Sequence, residues 1–197
     1  MSMLSRAFYA RPALEVARDL VGLVLVRRAP EGAVAGRIVE VEAYIGSEDR
    51  ACHASRGKTA RNAVMFGPPG HAYIYFIYGM HWCLNFVTDC EGVPSAVLLR
   101  AVEPVEGTER MRVRRPQARK DQQLTSGPAR VCQAFALTGA LNGADLCAPD
   151  AALFVEDRGL GHGPIVARPR VGVAYAGEWA PKPFRLYDAG SPFVSVK

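Results

Sequence analysis

Lysine is scarce in this chain: Lys58, Lys120, Lys182 and Lys197 are the only four among 24 basic residues. Few amines are therefore on offer for Schiff-base chemistry. There is no Cys-x-x-Cys pair. Five cysteines (Cys52, Cys83, Cys90, Cys132 and Cys147) lie scattered, and their odd number reads as reduced thiols rather than a disulfide framework. No apolar run approaches the ~18 residues of a membrane span. The longest near the start, Leu20 to Val26, is strand-sized. The first residues carry Arg6, Arg11 and Arg18 and no apolar h-region, so no secretory signal is read. Internal repeats, low-complexity tracts and long linkers are missing too. These absences leave a cytoplasmic protein with no membrane association as the expectation.

What is present fits one domain over residues 1–197. Hydrophobic residues make up 49% and charged residues 22%, a globular balance. A chain this long buries roughly 70% of the surface it exposes when unfolded, so it needs no staples. The net charge is +5, carried mostly by arginine. Guanidinium binds phosphate in a bidentate fork, so an arginine excess suits a phosphate-rich partner. A codon bias gives the same composition, and charge alone leaves both readings open.

Pro12 can open a helix that runs to about Leu20, with Gly22 as its stop. Leu23 to Arg27 reads as a short strand. Gly36 to Ile45 is the next, and its alternation places Val39, Val41, Ala43 and Ile45 on one face and Ile38, Glu40, Glu42 and Tyr44 on the other. Residues 46–72 read as a long loop, and loops of that length in compact domains usually serve function. Ala72 to Thr88 carries the strongest strand signal, two apolar runs about a turn at Gly79. Ser95 to Val102 is a buried strand with Arg100 inside it. Residues 105–120 read as helix and then loop, and Ser126 to Leu137 as a helix stopped by Gly139. Short strands and turns fill the rest. Strands dominate without regular alternation with helices. The expected class is therefore α+β, with a mainly antiparallel sheet.

Some motifs dissolve on inspection. Arg56-Gly57-Lys58-Thr59 resembles the end of a phosphate loop, but Cys52 stands where that loop needs glycine. His81, Cys83 and Cys90 match no common metal spacing, and the zinc deaminase signature is missing. No metal and no cofactor are expected. Two features stay open. Glu42 and Tyr44 share a strand face that is either solvated or the wall of a cleft. Tyr78 and Met80 flank the turn glycine, where polar residues are usual. That tip either folds into the core, makes a dimer contact, or is an apolar wedge of the kind that enters a base stack. Asn85 and Arg100, set among apolar residues, need partners if buried.

The run GRIVEVEAYIGSEDRACHASRGKTARNAVMFGPPGHAYIYFIYGMHWCLNFVT, residues 36–88, resembles the alkyladenine DNA glycosylase family, also called 3-methyladenine DNA glycosylases. VLLRAVEPVEG (97–107), SGPARVCQAF (126–135) and RVGVAYAGEWAPKPFRLYDAGSPFVSV (170–196) are similar to it as well. The likeness runs in order from about Ala13 onward and is closest to the short bacterial form. It implies a single domain with a curved, mainly antiparallel sheet, flanking helices and a protruding β-hairpin that enters DNA. It implies a monomer acting on double-stranded DNA that contains a damaged purine. The nucleotide is flipped out and its glycosidic bond hydrolysed without a metal, a reaction that starts base excision repair.

By position, the resemblance makes Glu42 the general base, with Arg100 beside it. It places Tyr44, His53 and Tyr75 as aromatic walls of a base pocket and Asn85 as a steric test of the purine. Tyr78 would fill the gap left by the flipped nucleotide, supported by Met80. None of these pocket positions is a lysine, so no lyase activity is expected. His81-Trp82 departs from a more usual Tyr-Phe-like pair. The chemistry is coherent: a carboxylate stabilises positive charge developing on the sugar and can deprotonate water. Aromatic faces attract an electron-poor, alkylated base. The basic run of Arg110, Arg112, Arg114, Arg115, Arg119 and Lys120 can supply phosphate contacts that position a duplex without reading its sequence. A non-catalytic damage binder of the same fold, and a hydrolase of free nucleosides, are the competing readings.

Overall fold

The computed structural model describes residues 2–197. In chain order its elements are β1 (Ser2–Met3), α1 (Arg6–Tyr9), α2 (Ala13–Leu20), β2 (Val24–Arg27), β3 (Val34–Tyr44), β4 (Ala72–Ile77), β5 (His81–Thr88), β6 (Ser95–Glu106), α3 (Thr108–Arg114), α4 (Gln122–Thr125), α5 (Pro128–Ala134), β7 (Leu153–Asp157), β8 (Ile165–Arg168) and β9 (Arg185–Asp188). Every ladder is antiparallel. The strands form one curled sheet in the order β1-β7-β2-β3-β6-β5-β4, with β9 joining β3 to β8. The α+β expectation holds. Among the described residues no helix is long and apolar enough to cross a membrane.

The helices cover one face of the sheet. In α2, Ala13, Val16, Ala17 and Leu20 are buried, which is the i, i+3, i+4, i+7 stripe of a helix with one apolar face. That stripe meets Ile38, Val41, Leu99 and Val102 from β3 and β6 in the main core. Each such side chain contributes about 1.5–3 kcal/mol by leaving water. α5 ends at Ala134, earlier than the sequence reading. Ala136 turns left-handed with φ 52°, and Leu137 N–H donates to Cys132 O at 2.8 Å, closing the helix before Gly139 is reached. β6 runs on to Glu106, four residues past its expected end, so the following helix starts only at Thr108.

β3 is the axis of the fold. β6 lines one edge throughout; β2 pairs its first half on the other edge and β9 its second. Its alternation is broken once. Ile38 pairs with Val102, Glu40 with Ala101, and Val41 with Leu99. Val39 and Arg100 are each one residue in excess, a bulge on either strand. The phase therefore slips at Val39. Ile38, expected beside Glu42, joins the main core, while Val39, expected beside Val41, packs on Ala101 and Phe193.

Candidate active site

The opposite face of the sheet holds a cavity of about 400 Å³. Strand period places its walls. On the hairpin, Tyr73, Tyr75 and Ile77 alternate along β4, paired with Asn85, Cys83 and His81 of β5, and all six line the cavity. Ala96, Leu98 and Arg100 of β6 and Glu42 and Tyr44 of β3 complete the floor. The other faces of β4 and β5 send Ile74, Leu84 and Phe86 into the core.

Glu42 is fully buried. Its Oε1 accepts from the Val171 backbone N–H at 2.7 Å and lies 3.2 Å from Arg100 Nη1. Its Oε2 accepts from the Tyr44 hydroxyl at 2.9 Å. A carboxylate has about four acceptor sites, so these two hydrogen bonds and the ion pair leave room for a further partner. The Tyr44 hydroxyl is held well above its usual range, first by burial and then by the Glu42 charge, so it remains a donor. Of the two strand-face alternatives, the structure takes the cleft wall.

Glu40 is buried too, and the idea of a solvated face fails there. Its Oε1 accepts from Arg100 Nε at 3.1 Å and Arg185 Nη1 at 2.9 Å, and its Oε2 from Ser195 N at 2.7 Å. Two carboxylates and two guanidinium groups thus share one buried network. Arg100 also donates to Ser195 Oγ at 3.1 Å. The bulge that leaves Arg100 unpaired in the ladder swings it between the two glutamates.

The aromatic walls touch one another. His53 and Tyr75 meet edge to face with centroids 4.5 Å apart, and His53 Nδ1 lies 2.9 Å from the Tyr73 hydroxyl. His53 keeps an exposed edge, but desolvation of its ring against Tyr73 and Tyr75, helped by the charge of Arg61, lowers its pKa to about 4, so the ring is neutral near pH 7. The loop carrying it is held from within. The buried Asn62 side chain donates to His53 O and Gly57 O, each at 3.0 Å, and its Oδ1 accepts from Thr59 N at 2.7 Å. Asn85 donates to Tyr73 O at 3.1 Å.

At the hairpin tip Tyr78 is 82% exposed and Met80 67%, so the tip does not fold into the core. Tyr78 and Gly79 have φ of 55° and 65°, and Met80 N–H closes the turn onto Ile77 O at 3.2 Å. Left-handed backbone is unusual for a tyrosine, and such strain persists where function holds it. Tyr78 overhangs the cavity; Met80 does not line it.

The basic run stands apart from the cavity, and none of its six members lines it. Arg110 donates to Glu31 O at 2.7 Å, Arg112 pairs with Asp121, and Arg114 reaches Glu31 at 2.6 Å. Arg115 is buried, with its guanidinium on Gln133 and Gln123 O. Arg119 and Lys120 are exposed and have no ion-pair partner among the described residues.

Sequence reasoning missed a whole wall. Val171, Gly172, Val173 and Tyr175 close the cavity from the C-terminal part. Arg170 anchors them, donating to Asp49 Oδ1 at 2.8 Å and Ala43 O at 2.9 Å while stacking 4.6 Å above Tyr44. Tyr73 was within reach, since it shares a strand face with Tyr75.

The methylpurine-DNA glycosylase model matches residues 7–192. The chain belongs to this family. A Methanocella arvoryzae protein assigned as a 3-methyladenine DNA glycosylase is 60% identical over 197 residues, covering 100% of this chain and 98% of its own. A Streptomyces avermitilis protein with the same assignment is 50% identical over 194 residues, 98% of this chain and 90% of its own. Human DNA-3-methyladenine glycosylase is 46% identical over 208 residues, 100% of this chain and 69% of its own. The family named from the motifs is thus the family found.

Proposed function

We propose that this family member works as a monofunctional DNA glycosylase that takes a damaged purine, flipped from duplex DNA, into the aromatic cavity. A DNA glycosylase role in base excision repair, as a hydrolase of the N-glycosidic bond, follows from the family and its named relatives. What carries the finer reading is one observation: a fully buried carboxylate, Glu42, faces an aromatic cavity under an exposed tyrosine.

In this reading the free acceptor site of Glu42 takes a proton from water, and its charge stabilises the sugar as the bond to the base breaks. Arg100 holds the carboxylate aimed at the cavity. Tyr44, His53 and Tyr75 enclose the base, and the Asn85 amide tests its edge. Tyr78 fills the vacated stack with Met80 beside it; opening a damaged pair costs less than opening an intact one. Arg110, Arg119 and Lys120 are the exposed members of the basic run that suit phosphate contacts. The enzyme acts as a cytoplasmic monomer on DNA.

The test is a set of duplexes, each with one lesion (hypoxanthine, ethenoadenine, 3-methyladenine or N7-methylguanine), scored for abasic sites. Release of at least one base with no adduct trapped by borohydride is the expected result. Binding without release would favour a non-catalytic damage binder, and a trapped adduct would place an amine in the site.

A further inference from the structure

Three guanidinium groups stand against the aromatic cavity, and they are not equivalent. Arg100 is neutralised by Glu40 and Glu42. Arg170, stacked on Tyr44, is neutralised by Asp49. Arg61 has its guanidinium carbon 5.3 Å from the Tyr75 ring centroid, and its donor Nη2 goes to an uncharged acceptor, Phe76 O, at 3.0 Å. Among the described residues no carboxylate lies within 4 Å of it. It is exposed and does not itself line the cavity, so it stands as an uncompensated positive charge beside the Tyr75 wall.

We propose that Arg61 sets discrimination between cationic and neutral damaged purines, acting against the cationic ones. This rests on the reading that the cavity receives a flipped purine. An aromatic ring attracts a cation through the negative potential of its face. At Tyr75 that potential is already engaged by Arg61. A formally cationic base laid against the same wall meets a ring with less to offer and a like charge behind it. A neutral base keeps its stacking and meets no such repulsion. The influence of Arg61 reaches further along the wall: its charge helps keep His53 neutral and opposes the upward push of burial on Tyr73, whose hydroxyl lies at about 12. The pull of Glu42 on developing sugar charge is common to all substrates and does not sort them. Arg61 acts through the wall rather than on the reacting atoms, so it is a specificity residue and not a catalytic one.

The experiment compares wild type, Arg61→Gln and Arg61→Lys in single turnover with enzyme in saturating excess. Two duplexes of one sequence are used, holding either N7-methylguanine, which is formally cationic, or hypoxanthine, which is neutral, each opposite cytosine. Spontaneous base loss is subtracted. Arg61→Gln should raise the ratio of N7-methylguanine to hypoxanthine excision by about three- to five-fold. Arg61→Lys keeps the charge and should stay within about two-fold of wild type. Equal loss of both rates in Arg61→Gln would make Arg61 a phosphate contact or a support for the hairpin, and would overturn the proposal. So would a ratio shift of the same size in Arg61→Lys. Failure of the wild type to release either base would instead sink the functional reading, and this one with it.

Discussion

The backbone N–H of Val171 donates to Glu42 Oε1 at 2.7 Å, bridging residues 129 positions apart. The bond ties the carboxylate on the central strand to the segment that roofs the cavity. With Tyr44 and Arg100 it fixes the carboxylate in place before any ligand arrives. Fixed dipoles of this kind need no reorganisation during reaction, and that is the source of their strength.

Glu42→Gln keeps the shape and removes the base and the charge. Single-turnover excision should fall by about 10²- to 10⁴-fold, while lesion-duplex affinity survives. The buried network would then hold two arginines against one carboxylate, so melting temperature must be measured alongside. A folded variant that retained excision near wild type would remove Glu42 from the chemistry.

Glu40→Gln is not the neutral control that a solvated position would provide. It leaves Arg185 with no carboxylate partner and Arg100 with Glu42 alone, and breaking a buried pair costs about 3–5 kcal/mol. Thermal melts should drop by roughly 6–20 °C at 2–4 °C per kcal/mol. An unshifted melting point would mean that the network contributes little to folding.

Tyr78→Asn should stabilise the fold and impair the enzyme. Tyr78 buries little and holds φ at 55°, which asparagine tolerates better. A gain of about 1 kcal/mol raises the melting point by roughly 2–4 °C. Excision should slow most for well-paired lesions and least for mismatched ones. Equal slowing in both, with no thermal gain, would contradict the strained-wedge reading.

His53 makes stability depend on pH. Its pKa is about 4 when folded, against 6.5 for a free side chain. Between those values the unfolded chain binds a proton that the folded chain refuses. Stability is therefore full above about pH 6.5 and is lost as pH falls toward 4. Urea melts across that window should show a shallower decline in His53→Gln than in wild type. Parallel declines would show that His53 titrates alike in both states.

Much of the site follows from strand period. Glu42 with Tyr44, and Tyr75 with Asn85, needed only alternation on a hairpin and one neighbouring strand. Even that failed across two residues, because a bulge is not written in hydropathy: Val39 and Ile38 are equally apolar and exchange faces unseen. Glu40 looked like Glu42 shifted by one pleat. Its true partners, Arg185 and Ser195, arrive from the far end of the chain, where no local pattern announces them. The same holds for the Val171–Tyr175 wall. The arginine run is legible in the sequence only as composition, which counts charges and does not say which are turned inward, as Arg115 is.

The paired bulges at Val39 and Arg100 cancel each other. From Gly36 to Tyr44 the β3–β6 ladder keeps, on either side of them, the register of an unbroken pair. Loss of Arg100 alone from the chain would leave the excess at Val39 uncompensated and turn one half of the ladder inside out. Loss of Val39 and Arg100 together would restore a plain ladder with Ile38, Val41, Leu99 and Val102 still facing the core. The arginine thus sits in a detachable stitch of the sheet: the ladder's register does not need it, and its contacts are with the two glutamates.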